Sequence, residues 1–281
     1  MDRRNFLKTG GIALLGSLAT GSAMALTTPG ALGGEGADKK AAVALAMNHF
    51  GVSEADLKKV LAAALEKGGD YADLFFEHTI TNSIRLMDGA VNNSYSNIDY
   101  GVGVRVLIGD QSGYAYVENI TVEDMLKAAR TAARIASANK GNKPLNLTEK
   151  ELKKNYYTVA SPWEEVSLKD KMPYLQKLND RIFALDKRVH KVQASQSDTT
   201  SHIFFCNSEG VMFYDYRPMV TLGAVCIMEE DGKTENGYAA RAYRRGFDFL
   251  SDEVVDVIAR EAVDGKPMIR AMFLEDPTPY T

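Results

Sequence analysis

Chemistry in a folded chain needs groups that ligate, attack or carry protons, and this sequence is sparing with them. It holds four histidines, His49, His78, His190 and His202, and two cysteines, Cys206 and Cys226. A zinc pair on one helix needs histidines four residues apart, a spacing that puts both rings on one face. No pair here has that spacing. His49 falls near a helix end, and the other three lie in or beside strand-like runs, so each reads as an ordinary strand or surface histidine. Convergence of three of them in space stays open. The cysteines lack C-x-x-C spacing, and both one disulfide and two buried free thiols remain possible readings. Gly101-Val102-Gly103-Val104-Arg105-Val106 lacks the third glycine of a dinucleotide loop and sits inside a strand pattern. There is no P-loop lysine motif and no G-x-S-x-G elbow. Arg241, Arg244 and Arg245 read as a solvated strand end, with an anionic contact as the alternative. Glu164-Glu165 is a carboxylate pair of a kind found in almost any chain. From the residues alone no catalytic, cofactor-binding or metal-ligating residue can be named.

The front of the chain carries a clearer signal. Arg3-Arg4 is followed by Phe6, Leu7 and Lys8, then a short apolar stretch, then Ala23-Met24-Ala25. Charge, a short apolar core and a small-x-small exit make up signal-peptide order, and the arginine pair specifies the twin-arginine route. The sequence therefore predicts a leader over 1–25, cut after Ala25 with Ala23 and Ala25 as the small residues, and export to the periplasm. An uncleaved N-terminal anchor is the alternative reading. No later run is apolar enough to span a bilayer, so no membrane contact is expected after cleavage. With 281 residues, 45% of them hydrophobic, the chain has material for a sizeable core in one or two domains. A net charge of −4 gives no global signature for nucleic acid, and no such partner is expected.

Periodicity places the elements. Residues 26–52 read as a tether and a leading helix. Ser53 with Asp56 forms a capping box, and Leu57, Val60, Leu61, Ala64 and Leu65 make one apolar helix face. Ala72, Leu74, Phe76, His78 and Ile80 alternate onto one strand face, and Asp88-Gly89 marks a hairpin turn. Gly101–Ile108 and Tyr114–Val117 read as strands, and Thr121 caps a helix. Residues 53–138 form one predicted α+β subdomain, and 139–166 a polar linker. Residues 167–263 form a second subdomain, with a helix from Ser167, strands at Val189–Ser197, Ile203–Asn207, Val211–Tyr216 and Met219–Met228, a turn at Glu230-Asp231-Gly232, a return strand and a final helix. Strands in runs flanked by helices, without βαβ alternation, predict an α+β fold of antiparallel sheets packed with helices.

Four segments in order carry a resemblance. They are Asp70-Tyr71-Ala72-Asp73 with Met87-Asp88-Gly89, and Gly101 to Val106 with Gly113-Tyr114-Ala115-Tyr116. Then come Asn207-Ser208-Glu209-Gly210 with Tyr216-Arg217-Pro218, and Glu235-Asn236-Gly237-Tyr238 with Arg244-Arg245-Gly246-Phe247. Over about residues 53–263 the chain resembles the TldD/PmbA family of zinc metallopeptidases, the TldD branch more closely. The resemblance implies an α/β-type N-terminal domain of that family. In the full-length parent it implies a zinc ion held by His-Glu-x-x-x-His and a distant cysteine, hydrolysis of unfolded or leader peptides, and assembly as homo- or hetero-oligomers with a TldD/PmbA-type subunit. The chain itself contains no His-Glu-x-x-x-His. Similarity fades after Glu261-Ala262-Val263, and 264–281 is a divergent tail. The expectation is thus a truncated N-terminal half, without cofactor and inactive alone. The alternative is a non-catalytic exported module that binds a partner or peptide, with the Glu235–Tyr243 edge open to strand addition.

Overall fold

The computed structural model describes residues 39–136, 148–149, 159 and 161–265. The expected leader, with Arg3, Arg4, Phe6, Leu7, Lys8, Ala23 and Ala25, lies outside the described residues, as do most of 139–160 and the tail past residue 265. Five helices and seven strands follow in chain order among those described. They are α1 (Lys39–Phe50), α2 (Glu54–Leu65), β1 (Tyr71–Met87), β2 (Ala90–Ile108), β3 (Gln111–Val117), α3 (Val122–Ile135), β4 (Thr148–Glu149), α4 (Leu168–Leu185), β5 (Val189–Asn207), β6 (Val211–Glu230), β7 (Lys233–Tyr243) and α5 (Asp252–Asp264). The fold is α+β, as the pattern predicts.

All seven strands among the described residues form one sheet, in the order β3-β2-β1-β5-β6-β4 with β7 also on β6. All its pairings are antiparallel except that of the two-residue β4 with β6. The predicted caps and turns are there. Ser53 and Asp56 exchange both capping-box bonds. Asp88 and Gly89, at φ 50° and 79°, make the first hairpin turn, and Asp231 and Gly232, at 50° and 74°, make the second. Both turns need φ > 0 at consecutive residues, which Asp-Gly accepts at low cost.

The strands differ from expectation in length. Val189–Ser197 and Ile203–Asn207 are one strand of 19 residues, and Val211–Tyr216 and Met219–Met228 are one of 20. The intervening Asp198–His202 looks like a break because it is polar, yet it contains no glycine or proline to turn the chain. Pro218 sits opposite Thr200 within the β5–β6 pairing. The sheet also runs through both predicted subdomains: β1 pairs with β5 over fifteen residues, Asp73↔Asn207 to Met87↔Gln193. The stretches of chain on either side of the predicted linker, 139–166, therefore share this sheet.

Two apolar cores sit on the same sheet face. Side chains alternate along a strand, so Leu74, Phe76, Ile84 and Leu86 of β1 share that face. Leu74 and Phe76 join Leu57, Leu61, Met125, Val104, Phe204 and Cys206 under α1, α2 and α3. Ile84 and Leu86 join Leu175, Leu178, Ile182, Leu222 and Ile258 under α4 and α5. Between these cores the same face turns polar.

Candidate functional site

The polar band is built by cross-strand register. Tyr100 of β2 stands opposite His78 of β1, His78 opposite His202 of β5, and His202 opposite Tyr216 of β6. Further along the band, Asn82 faces Asp198 and Ile80 faces Thr200. His49, at the end of α1, reaches down onto this row. Its Nε2 lies 2.8 Å from His78 Nδ1, and its ring stacks on that of His202 with centroids 4.8 Å apart. The structure thus unites His49, His78 and His202, while His190 is an exposed residue of β5 outside the cluster. The convergence that the sequence left open thus occurs, among these three. The available signal was the period-2 pattern, which sets His78 beside Phe76 and His202 beside Phe204 on the buried face.

Glu164 completes the cluster, and sequence reasoning missed it. The segment expected to be linker closes into a short 3-10 turn, Trp163–Glu165, with Trp163 fully buried. The Trp163 Nε1–H donates to the Arg245 carbonyl at 2.8 Å, which pins the turn against the chain before α5. Glu164 Oε1 then meets His202 Nε2 at 3.0 Å, and its Oε2 accepts from the Tyr216 hydroxyl at 3.1 Å. His202 Nδ1 contacts the Tyr214 hydroxyl at 2.7 Å. Burial opposes the Glu164 charge, but the bonds from His202 and Tyr216 outweigh it and hold the carboxyl below its ordinary value. Burial, reinforced by that carboxylate, pushes both Tyr214 and Tyr216 upward, so these phenols stay protonated.

A second polar knot adjoins the first. Lys171 of α4 places its ammonium 2.6 Å from Asp198 Oδ2, both side chains being almost wholly buried. Asn82 Nδ2 donates to Asp198 Oδ1 at 3.0 Å and Gln196 Nε2 to Asp198 Oδ2 at 2.9 Å. The Lys171 ammonium also lies 5.3 Å from the Trp163 ring centre. A cleft of about 430 Å³ opens beside the knot, lined by Ile80, Asn82, Tyr95, Trp163, Glu164 and Lys171 among others. Tyr95 gives it an exposed aromatic wall and Glu164 a partly exposed carboxylate, while the Lys171 ammonium beneath is held by Asp198.

The predicted basic cluster is largely neutralised in place: Arg241 pairs with Glu261, and Arg245 with Asp248 at 2.7 Å. Both cysteines are free and buried, Cys206 in the first core and Cys226 in the second. No described helix is long and apolar enough to cross a membrane.

Comparison with known proteins defines the class. The profile of PmbA/TldA metallopeptidase domain 1 matches residues 72–136, and that of the PmbA/TldA metallopeptidase central domain matches 161–265. The chain belongs to the PmbA/TldD family. It is similar to the metalloprotease TldD homolog of Haemophilus influenzae, 31% identical over 205 residues, which are 72% of this chain and 42% of that protein. The TldD homolog of Buchnera aphidicola subsp. Acyrthosiphon pisum is 26% identical over 74% of this chain and 43% of its own. Among solved structures, one described as a modulator of DNA gyrase from Thermotoga maritima superposes with TM-score 0.59 at 19% identity, over 75% of this chain and 47% of that one. TldE from Thermococcus kodakarensis gives 0.55 at 17%, over 74% and 46%. These likenesses place the fold, and the chain spans less than half the length of each relative.

The family name implies a metal, and the donors among the described residues do not converge on one. A metal needs lone pairs that converge on a common point. The His49 and His78 nitrogens instead face each other, both His202 nitrogens contact Glu164 and Tyr214, and burial raises both thiols. Among the described residues no group of three or more His, Cys, Asp or Glu could hold a metal ion. The cluster does not fit zinc, and what it offers is hydrogen bonding and proton exchange.

Proposed function

We propose that this chain provides the N-terminal half of an exported TldD-type zinc metallopeptidase, and that its part is to hold an extended peptide for a zinc-bearing half to cut. Family membership carries this reading: two successive domains of one metallopeptidase family match in order. The sheet supports the peptide-holding role. β3 pairs with β2 from Val102 to Ile108, so the outer edge of β2 from Ala90 to Gly101 has no strand beside it among the described residues. That edge borders the cleft through Ser94, Tyr95 and Ser96. An unpaired strand edge offers backbone hydrogen bonds to any sequence, and an adjoining pocket takes a side chain. The outer edge of β7 is a second such edge. Zinc and the His-Glu-x-x-x-His segment belong to the other half in this reading, and a TldD- or TldE-type subunit is the partner. Export to the periplasm rests on Arg3-Arg4 and the Ala23-Met24-Ala25 exit.

The test uses the purified mature chain. Expected are no stoichiometric zinc, no peptidase activity alone, and saturable binding of unstructured peptides with slowed amide exchange over 90–101. Stoichiometric zinc with peptidase activity in this chain would overturn the division of labour. Failure to bind across a broad peptide panel would remove the holding role. A cytoplasmic protein that keeps residues 1–25 would sink the export reading.

A further inference from the structure

The histidine cluster contains a contact that peptide holding does not use. The His49 and His78 ring centres are 5.0 Å apart and the facing nitrogens 2.8 Å apart. Two imidazoles reach that combination when the N···N vector runs nearly along the line of centres. The lone pair of one ring then faces the N–H of the other, and the pair holds a single shared proton. A second proton puts two N–H groups head to head and removes the bond.

The surroundings decide how readily that second proton enters. His202 of β5 stacks on His49 at 4.8 Å, Tyr100 of β2 meets His78 edge-on at 5.3 Å, and Tyr214 and Tyr216 of β6 close the far side through His202. Glu164 is the carboxylate facing the group, and it is already engaged by His202 and Tyr216. α1 depends on this end of its length. Phe50, next to His49, stacks against Phe204 and Tyr100 and tilts onto Phe76, and Val43 and Ala46 are buried with it in the first core.

We propose that the His49–His78 contact is a proton-operated latch: near neutrality its shared proton fastens the end of α1 to the sheet, and double protonation in acid opens it and lifts α1 away. Lifting α1 uncovers Phe76 and Phe204 and opens the polar band from the side of His202. The direction is consistent with the rings' environment. Burial, with the nearby His202 and His78, lowers His49 from 6.5 to about 4, and burial with His202 lowers His78. A loose α1 returns both rings toward the ordinary value. The docked state is therefore fully favoured above about pH 6.5, loses ground as the pH falls, and levels off below the docked value near 4. An exported protein meets such acid more readily than a cytoplasmic one. The latch itself does not depend on the peptidase reading.

Amide hydrogen exchange on the intact chain tests this, with α2 (Glu54–Leu65) as internal reference after correction for intrinsic rates. Protection over 43–50 should fall by up to about tenfold per pH unit for each ring that gains a proton below about 6.5, while α2 changes little. The double variant H49Q/H78N, an amide pair that bonds without titrating, should show a flat profile, and H190Q should behave as the natural chain. Constant protection of α1 relative to α2 down to about pH 4.5, or an unchanged slope in H49Q/H78N, overturns the latch. If the double variant does not fold, ring titration by NMR on the natural chain decides. His49 and His78 should titrate below the ordinary value together with α1 amide shifts; titration near 6.5 with α1 unmoved refutes the proposal.

Discussion

The buried Lys171–Asp198 pair is where perturbation should cost most. Consider Lys171→Met, which keeps the aliphatic stem and removes the ammonium. The pair is 2.6 Å long, with 4% and 1% of the two side chains exposed, so water cannot replace the lost cation. Breaking a buried pair from one side costs about 3–5 kcal/mol, because the remaining charge stays desolvated. Asp198 keeps two donors, from Asn82 and Gln196, which places the expected loss near the lower end, at about 3 kcal/mol. Asp198→Leu alone leaves the ammonium with the Trp163 face as its nearest compensation and should cost at least as much. The double variant K171M/D198L removes both charges, so its loss should fall well short of the sum of the single losses. Urea unfolding with a constant m-value measures all three. A loss under about 1 kcal/mol for Lys171→Met, or a double variant as costly as the two singles added, would refute the claim that desolvated charge governs this knot.

Three further outcomes follow from the same geometry. The Glu164 carboxyl sits below its ordinary 4.5, so its contribution is present above that value and is lost as the pH falls through the lowered one; Glu164→Gln should flatten the acid limb of the stability profile below about pH 4.5, and an unchanged limb counts against the His202–Glu164–Tyr216 network. Burial raises both thiols, and Cys226 Sγ also donates to the Ala262 carbonyl at 3.0 Å, so a thiol reagent near pH 8 should leave both cysteines untouched until the chain unfolds; rapid labelling of the folded chain would contradict their burial. Gly89 holds φ 79° in the first hairpin turn, and Gly89→Val should cost about 1–3 kcal/mol in thermal or urea unfolding, a neutral effect showing that the turn relaxes elsewhere.

The legible parts of the sequence were those in which one local rule acts alone. Ser53 with Asp56, and the Asp-Gly pairs at 88–89 and 231–232, settle caps and turns within a few residues, and they appear where expected. Period-2 alternation at Ala72 to Ile80 placed the buried face of β1 correctly. Strand length was not legible. Gln196, Asp198, Thr200 and His202 are polar residues that face inward, and polarity in a strand pattern reads as an end rather than a middle. Glu164 was invisible for another reason: its partners lie 36 to 52 residues away, and nothing near it marks the turn that Trp163 anchors. The resemblance to the family reached the fold correctly but could not reach this cluster, because none of the segments that carry it contains His49, His78, Glu164 or His202.

Those same inward polar residues bear on what the band is for. Strands of 17, 19 and 20 residues are several times the common length of about 5–6, and each serves both cores in turn. Apolar residues at positions 198, 200 and 202 would merge the two cores into one and avoid a desolvation cost of several kcal/mol per buried charge. The chain instead spends Lys171, Asp198, Glu164 and three histidines there. The two apolar cores on either side draw on none of these residues. A band that must open toward a peptide, or answer to protons, does need them: groups that exchange hydrogen bonds with water or ligand can separate where fused apolar side chains cannot. If Asp198→Leu with Lys171→Met yields a chain that is stable and no longer binds peptide, stability and function will have been separated at this one row. If peptide binding survives that replacement unchanged, the band is a relic of packing and the sheet edges alone do the holding.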